Sequence, residues 1–278
     1  MEVVLGLGSA GCNVARKFEE YSQYKVYTIN HELQKKKNHF RVDLFENPEQ
    51  YEEQEYDFCK KLKSLKDKKV LFIVCGASCV ASLSLVVLES LKKINCEVTI
   101  LYISPEKDLL SEVGAMQERM VMKVLQQYAR SGLFSNMALS SNVELENIVQ
   151  NLTILNYHDT LNSLLCSTIH MTNVFKNTKS ISDTFSRNAD SSRISTFGFL
   201  NVDTGEEKLF FPLDNIREKR YYYAIPQKKL ENESNLFRKI VNQVKENLTK
   251  TTKVSYGIYS TDYDESYVYI ECFSSRIQ

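Results

Sequence analysis

The first eleven residues constrain the fold most, because they hold three of the chain's nine glycines. The apolar run Val3–Leu7 leads into the pattern Gly6-x-Gly8-x-x-Gly11. Glycine has no Cβ, so the backbone there can turn tightly and come close to an anion. A helix that begins after such a turn directs its free N–H groups and positive dipole end to the same place. The pattern predicts a strand, a turn and a helix that bind a phosphate group, or a tight turn that binds nothing.

Composition limits the class of protein. The chain has 278 residues, of which 43% are apolar and 25% charged, as in a globular protein of one large or two medium domains. The 35 basic and 35 acidic residues cancel, so no net charge draws the chain to nucleic acid or anionic membranes. No apolar run is long enough for a membrane span, and the N-terminus does not read as a secretory signal. We expect a cytoplasmic protein.

The seven cysteines are odd in number, and no pair has Cys-x-x-Cys spacing. Their apolar surroundings predict buried, reduced thiols. Cys75 and Cys79 have the wrong spacing for zinc and no histidine near them in sequence, so no metal site is predicted. The cysteines in or beside apolar segments are Cys12, Cys75, Cys79, Cys96, Cys166 and Cys272.

Strands and helices alternate along the first two-thirds of the chain, which predicts an α/β fold with a doubly wound, mostly parallel sheet. We expect a nucleotide-binding domain over 1–155, a central helix and connecting loop over 156–192, and a smaller α+β domain over 193–278. The predicted strands of the first domain are Val3–Leu7, Lys25–Ile29, Val70–Val74, Val98–Ile103 and Met137–Leu139.

Three local predictions can be checked directly against a structure. The Asn47-Pro48 pair predicts the start of a helix that runs to about Ser64. Alternating polar and apolar residues in Lys253–Tyr259 and Ser266–Phe273 predict a hairpin. The run Tyr221-Tyr222-Tyr223 predicts a strand whose rings lie alternately inside and outside the core.

The order of these segments resembles the tubulin/FtsZ superfamily, nearer the bacterial FtsZ side, from Val3 to about Ser274. A glycine turn, a strand ending in Asn30, an Asn-Pro helix start, a small-residue turn and a long central helix follow one another. The resemblance implies a GTP- or GDP-binding protein that assembles head to tail into filaments, with a cytoskeletal role such as cell division or DNA positioning.

The resemblance also implies roles for single residues. Asn13 and Asn30 match asparagines at the ends of the first loop and the second strand. Asn47 matches the loop that senses the terminal phosphate, and Asn142 and Asp159 match residues that read the guanine base. The phosphate-loop positions are Gly8, Ser9, Ala10 and Gly11 in the first loop and Gly76, Ala77, Ser78 and Cys79 in the second.

Departures from the family pattern bear on catalysis. The family's Gly-Gly-Gly-Thr-Gly-Thr/Ser-Gly motif corresponds here to residues 76–82, where only Gly76 remains a glycine. Glu46 precedes Asn47 and would repel a γ-phosphate unless Mg²⁺ lay between them. Asp183 alone remains of the acidic loop that activates water in the next subunit, and a solvated loop aspartate explains it equally well. We therefore expect weak or lost hydrolysis.

Two alternatives remain open at this point. One is a nucleotide-free scaffold or regulator that keeps the fold without the chemistry. The other is a dinucleotide-binding oxidoreductase, because the glycine pattern with Glu32 after the second strand also fits a Rossmann fingerprint. Five residues follow the last predicted strand, so we expect no C-terminal tail that docks membrane adaptors.

Overall fold

A computed structural model describes residues 1–32, 37–45, 47, 49–149, 152–186 and 192–278. The chain divides into two compact units, Met1–Cys166 and Ser167–Gln278. The division falls inside the long helix Tyr157–Lys176. In the described part of the chain, no helix is long and apolar enough to cross a membrane.

The first unit alternates strands with helices, as its sequence predicts. The two central strands, Val3–Leu7 and Lys69–Val74, are nearly continuous apolar runs, which suits strands that are covered on both faces. The strands are β1 (Val3–Leu7), β2 (Lys25–Asn30), β3 (His39–Arg41), β4 (Lys69–Val74), β5 (Glu97–Ser104) and β6 (Asn136–Ser141). The helices are α1 (Gly8–Lys17), α2 (Glu49–Glu52), α3 (Asp57–Leu62), α4 (Ser84–Lys93), α5 (Glu112–Arg130), α6 (Asn142–Ile148) and the start of α7 (Tyr157–Lys176).

All neighbouring strands of this sheet run parallel, in the order β3-β2-β1-β4-β5-β6. From β1 the strand order runs through β2 to β3 on one side, and β4, β5 and β6 follow on the other side of β1. The strand order therefore reverses between β1 and β4. Such a reversal leaves a crevice at the carboxyl ends of the strands, where open α/β sheets bind their ligands. The predicted α/β fold class is confirmed.

The predicted single helix from Asn47 to Ser64 is wrong, because the segment forms the two short helices α2 and α3. Tyr56 between them is extended, with φ −114° and ψ 131°. Its ring stacks on Phe58 with 4.9 Å between centroids, and its hydroxyl donates to the Tyr51 carbonyl oxygen at 3.1 Å. Local contacts of Tyr56 thus interrupt the helix, and repulsion among the glutamates of residues 49–55 works in the same direction.

The second unit contains the end of α7 and a mixed sheet. Its strand order is β8-β12-β10-β11-β7, with β9 paired to β8. The elements are β7 (Ser182–Asp183), β8 (Ile194–Leu200), β9 (Glu207–Leu209), β10 (Ile216–Pro226), α8 (Gln227–Asn232), α9 (Leu236–Asn247), β11 (Lys253–Thr261) and β12 (Tyr267–Ser274).

The predicted hairpin of β11 and β12 is also wrong. β10 lies between them, parallel to β11 and antiparallel to β12. Both strands show the polar and apolar alternation that is typical of a hairpin, but each of them pairs with β10 and not with the other. The five-residue connection 262–266 is long enough to pass the end of one strand, since neighbouring strands lie about 4.8 Å apart.

The three tyrosines of β10 are all buried, so the prediction of alternating inner and outer rings is wrong. Both faces of this strand are covered, and each hydroxyl donates to an acceptor within the second unit. Tyr222 donates to Glu271 at 3.2 Å and packs its ring near Phe175, while Tyr223 donates to Gln243 at 2.9 Å and Tyr221 to Glu207. Because each hydroxyl has a hydrogen-bond acceptor, burying the whole tyrosine side chain costs little free energy.

Candidate functional site

The carboxyl ends of the parallel strands in the first unit lie along one edge. Leu7 of β1 is in register with Ile29 of β2 and with Val74 of β4. Further along the sheet, Ser104 of β5 is in register with Ser141 of β6. The segments that follow these strands therefore share one edge, and most of the predicted binding residues belong to those segments.

The first loop requires its glycines because neighbouring parts of the chain come too close to leave room for a Cβ atom. Gly8 has φ +71°, a conformation that L side chains rarely adopt, and a Cβ there would overlap the Ser78 hydroxyl. A Cβ on Gly11 would lie 2.5 Å from the Ile73 carbonyl oxygen of β4. The first turn of α1 is thereby pressed against β4 and against the second loop, with its N-terminus at the carboxyl edge.

Asn30 connects the first loop to the end of β2. Its Nδ2 donates to Ser9 Oγ at 3.3 Å, and its Oδ1 lies 3.1 Å from His31 Nδ1. His31 Nδ1 in turn lies 3.5 Å from Cys79 Sγ. These contacts join three predicted site residues, Ser9, Asn30 and Cys79, through one buried amide and one histidine.

The second loop, residues 75–80, is a pair of turns held by its own backbone. Ser78 N donates to the Cys75 carbonyl oxygen at 3.1 Å, and Gln117 of α5 donates to the Ser78 carbonyl oxygen at 3.0 Å. Gly76 is needed because a Cβ would overlap the Tyr102 hydroxyl. That hydroxyl donates toward Glu118, which is buried beneath the loop. Burial, together with the Glu118 charge, raises the pKa of Tyr102.

The loop around Asn47 contacts the second loop through Tyr51. The Tyr51 hydroxyl accepts from Phe45 N at 3.2 Å and donates to the Cys79 carbonyl oxygen at 3.1 Å. Asn47 itself is exposed, and its N–H donates to the Gln50 side chain at 3.1 Å. The Glu46 and Pro48 predictions lie outside the described residues.

The predicted base-reading residues lie on α1, α6 and α7. Asn13 is exposed on α1 and accepts from Arg16 at 3.3 Å. One turn after Asn13, Lys17 Nζ lies 2.6 Å from Asp159 Oδ1, and the Asp159 side chain is 70% exposed. Asn142 is the first residue of α6 and is half-buried. The described contacts bring Asp159 to α1 but give none that joins Asn142 to it.

Asp183 lies in the second unit, where β7 pairs with β11. Its carboxylate accepts from the Ser180 hydroxyl, and its side chain is exposed. Among the residues that the structure describes, no three His, Cys, Asp or Glu side chains gather as a metal site. The residue assignments, including Asp183 as catalytic, stay predictions.

Sequence reasoning missed His31, Tyr51 and Lys17, all of which contact predicted site residues. The spacing of Lys17 four residues after Asn13 on a predicted helix was a usable signal for a shared face. His31 directly follows Asn30 at a strand end, which is a weaker signal. No sequence pattern links Tyr51 to Cys79, because that contact depends on how the loops fold.

Comparison with known proteins gives fold matches only. No protein-family model and no curated protein sequence matches the chain. Among solved structures, an empty FtsZ dimer from M. jannaschii matches with a TM-score of 0.72 at 14% identity, covering 99% of this chain and 88% of that one. GDP-form protofilaments of Bacillus thuringiensis TubZ match with a TM-score of 0.69 at 15% identity, covering 98% and 88%.

A GTPγS-bound protofilament of CetZ2 from Haloferax volcanii matches with a TM-score of 0.71 at 12% identity, covering 98% of this chain and 92% of that one. Identities this low establish the fold and leave the chemistry open. The chain has the FtsZ/tubulin fold over nearly its whole length, which confirms the fold that the sequence resemblance implied.

Proposed function

We propose that this protein binds a guanine nucleotide at the carboxyl edge of the first unit and assembles head to tail into filaments. The observation that carries the proposal is the meeting of the two predicted phosphate loops, with Gly8 at positive φ against Ser78. The solved structures with this fold include a GDP-form and a GTPγS-bound protofilament. The nucleotides named for those two proteins support the proposal that this chain binds one as well.

The first loop fits a phosphate group. The N-terminus of α1 offers backbone N–H groups and the positive end of a ten-residue helix dipole. Ser9 is exposed on this turn and accepts a hydrogen bond from Asn30 Nδ2 at 3.3 Å. A bound nucleotide would supply the anionic phosphates and the guanine edge, and the protein's part is to bind and orient them.

Asp159 is the proposed reader of guanine. A carboxylate can accept from the N1–H and the 2-amino group of guanine together, in charge-assisted geometry. Lys17 holds Oδ1 at 2.6 Å, and the exposed side chain still has accepting capacity for a ligand. Adenine presents no such pair of donors, so this contact favours guanine.

Head-to-tail assembly agrees with the distribution of exposed apolar side chains in the first unit. Ile154 and Leu155, just before α7, are 97% and 95% exposed, and Leu109 after β5 is also exposed. Ile154 and Leu155 are adjacent in sequence, and exposed apolar groups that lie together commonly mark an interaction site. A contact between two different surfaces of identical chains propagates into a filament.

We propose that hydrolysis is weak or absent. Side chains occupy the second loop where a phosphate-binding loop would have glycines, and within the segment 177–183 that matches the family's acidic loop, Asp183 is the one remaining acid. We further propose a cytoplasmic location. Binding of Mg²⁺ would depend on the phosphates and on Glu46, because the described part of the site gathers no set of acidic ligands.

The second candidate function is a nucleotide-free scaffold, and one observation favours it. The Ser78 backbone N–H donates to the Cys75 carbonyl oxygen at 3.1 Å, within the loop itself. N–H groups used in this way are not presented to a phosphate. The scaffold would still assemble, but it would assemble without nucleotide.

Titration calorimetry with GDP, GTP, ATP and NADH tests the proposal, together with chromatography of the nucleotide in an acid extract of the purified protein. We expect guanine nucleotides to bind, and Asp159→Ala to reduce the preference over adenine by about tenfold or more. Asp203→Ala is the matched control, since Asp203 is an exposed aspartate paired with Lys239 at 3.0 Å in the second unit. NADH binding without GDP binding would favour the oxidoreductase instead.

Sedimentation and electron microscopy test assembly separately. Filaments that form with GDP or GTP and are lost in Ile154→Asp would support head-to-tail contacts through the segment before α7. Filaments that form equally well with no nucleotide bound would support the scaffold.

A further inference from the structure

One face of α5 carries a stripe of exposed apolar side chains. Val113, Met116 and Met120 are each more than half exposed, and Val124 and Tyr128 continue the row. Steps of three and four residues keep all five on one side of the helix. Large apolar side chains that form one exposed row mark a surface that contacts another molecule.

A groove with a volume of about 400 Å³ runs beside this stripe. Met116, Met120 and Val124 of α5 line one part of it, and Ser82 and Leu85 at the start of α4 line another. The stripe therefore borders an apolar hollow, and such a ridge with a groove beside it is the surface that packs against a second helix.

Two opposite charges flank the stripe on one side. Glu112 and Lys123 are exposed and eleven residues apart, about three turns of helix, so they lie along the same flank of α5. Among the described residues, neither of them forms an ion pair. Flanking charges of this kind set the orientation in which two helices pair.

The charges and the apolar stripe share one centre, near residue 118. In an antiparallel pair centred there, Met116 lies opposite Met120 of a second copy, and Glu112 lies opposite Lys123. A parallel pair would instead set Glu112 against Glu112 and Lys123 against Lys123, which repel. A single register thus satisfies both patterns, and the partner that it fits is a second copy of this chain in a two-fold contact.

The size of the stripe limits how tightly two copies associate. From Val113 to Tyr128 it is about 23 Å long and roughly 10 Å wide, so two copies would bury on the order of 500 Å². Stable interfaces bury about 1,200 Å² or more. Arg119 lies near the centre of the charged flank, where it would meet its own counterpart and weaken the contact further. One contact is therefore weak, whereas contacts repeated along two filaments add up.

We propose that the exposed face of α5, over residues 113–128, binds the same face of a second copy in antiparallel orientation, and that repeated contacts of this kind join filaments side by side. The contact differs from the head-to-tail contact proposed for the segment before α7. The pairing of two copies stands on α5 alone, and only the joining of filaments rests on the proposed function.

The first experiment measures self-association of the full-length chain by sedimentation equilibrium, in an Ile154→Asp background that is designed to block head-to-tail contacts. We expect a dimer with a Kd on the order of 100 µM, weakened at least about tenfold by Met120→Asp. Phe237→Asp is the control, because Phe237 is an exposed apolar residue on α9 of the second unit.

Two outcomes would overturn the pairing. One is a monomer at every concentration, or equal loss of association in Met120→Asp and Phe237→Asp. The other is a monomeric protein that binds anionic phospholipid vesicles and loses that binding in Met120→Asp, which would assign the face to a membrane instead.

The second experiment tests the register by charge reversal. Glu112→Lys and Lys123→Glu should each weaken self-association about threefold or more, because each places like charges on both sides of the centre. An equimolar mixture of the two variants should associate again, since every facing pair then has opposite charges. Arg119→Gln should tighten association by about twofold. A mixture that associates no better than either variant alone, or no gain in Arg119→Gln, would overturn the antiparallel register.

Electron microscopy with GDP or GTP tests the joining of filaments. Paired filaments of the wild type that become single in Met120→Asp support it, and filaments that stay paired in this variant overturn it. If no filaments form with any nucleotide, the proposed function fails, while sedimentation still decides whether the two α5 faces pair.

Discussion

The two predicted phosphate loops follow neighbouring strands of one sheet but use their space differently. In the first loop, Gly11 leaves room that the main chain of β4 approaches at the Ile73 carbonyl oxygen. In the second, the protein's own side chains take the room: Ser78 lies against Gly8, and Tyr102 lies against Gly76. At one edge of a sheet, one loop is thus packed against main chain and the other against side chains.

The largest effect is expected from Gly11→Ala in the first loop. The new Cβ would lie 2.5 Å from the Ile73 carbonyl oxygen, and a central strand cannot move away easily. We expect a loss of about 3 kcal/mol in the free energy of unfolding, measured by urea denaturation. Gly114→Ala on α5 is the control and should stay within about 1 kcal/mol of wild type, because its nearest neighbour is a side-chain oxygen at 3.3 Å.

Gly76→Ala in the second loop should cost less, about 2 kcal/mol, since the atom it meets is the end of the Tyr102 side chain. The phenol would have to leave its hydrogen bond to Glu118 at 3.1 Å. A double-mutant cycle with Tyr102→Phe should show a coupling of about 1 kcal/mol. Additive effects would mean that the ring does not fill this space, and the contrast between the loops would weaken.

Ser78→Gly should make the second loop more like the first. Removing the hydroxyl next to Gly8 should improve GDP affinity by about fivefold in calorimetry, which corresponds to about 1 kcal/mol. Ser64→Gly, an exposed serine distant from both loops in sequence, serves as the control for the loss of a serine side chain. Unchanged affinity in Ser78→Gly would show that this hydroxyl does not restrict the site.

The smallest effect on binding is expected from Asp183→Ala, because Asp183 belongs to neither loop. GDP affinity should change by less than about twofold, while any phosphate release from GTP should disappear. Rapid phosphate release by the variant would contradict the proposed catalytic role. A large change in affinity would instead extend the binding site beyond the two loops.

Much of the first unit could be predicted, because its strands are short apolar runs with glycine or asparagine at their ends. The predicted ends of the strands indicate which loops lie at the same edge of the sheet. The contact between Asn30 and Ser9, which follow two neighbouring strands, agrees with that prediction. The contacts of Tyr102 with Glu118 and of Cys79 with His31 join residues far apart in sequence. A periodic pattern along the sequence does not indicate which distant residues will be in contact.

The second unit was harder to predict, because the alternation of polar and apolar residues within a strand does not identify the strand that pairs with it. The pattern in β11 and β12 predicts two strands correctly but fits pairing with β10 as well as with each other. The prediction for the tyrosine run of β10 was wrong for a related reason. Aromatic residues with polar tips can lie on both faces of a covered strand when acceptors such as Glu271 and Gln243 are present.

The position of β12 has a consequence for synthesis on the ribosome. This strand comes last among those of the second unit, yet it lies between β8 and β10, pairing with both. Until it emerges, each of those strands has one unpaired edge, for on the order of a few seconds at ordinary translation rates after β10 is made. Exposed strand edges of this kind favour aggregation, so we expect nascent chains that stall before Tyr267 to depend on chaperones more than chains that have passed Ser274.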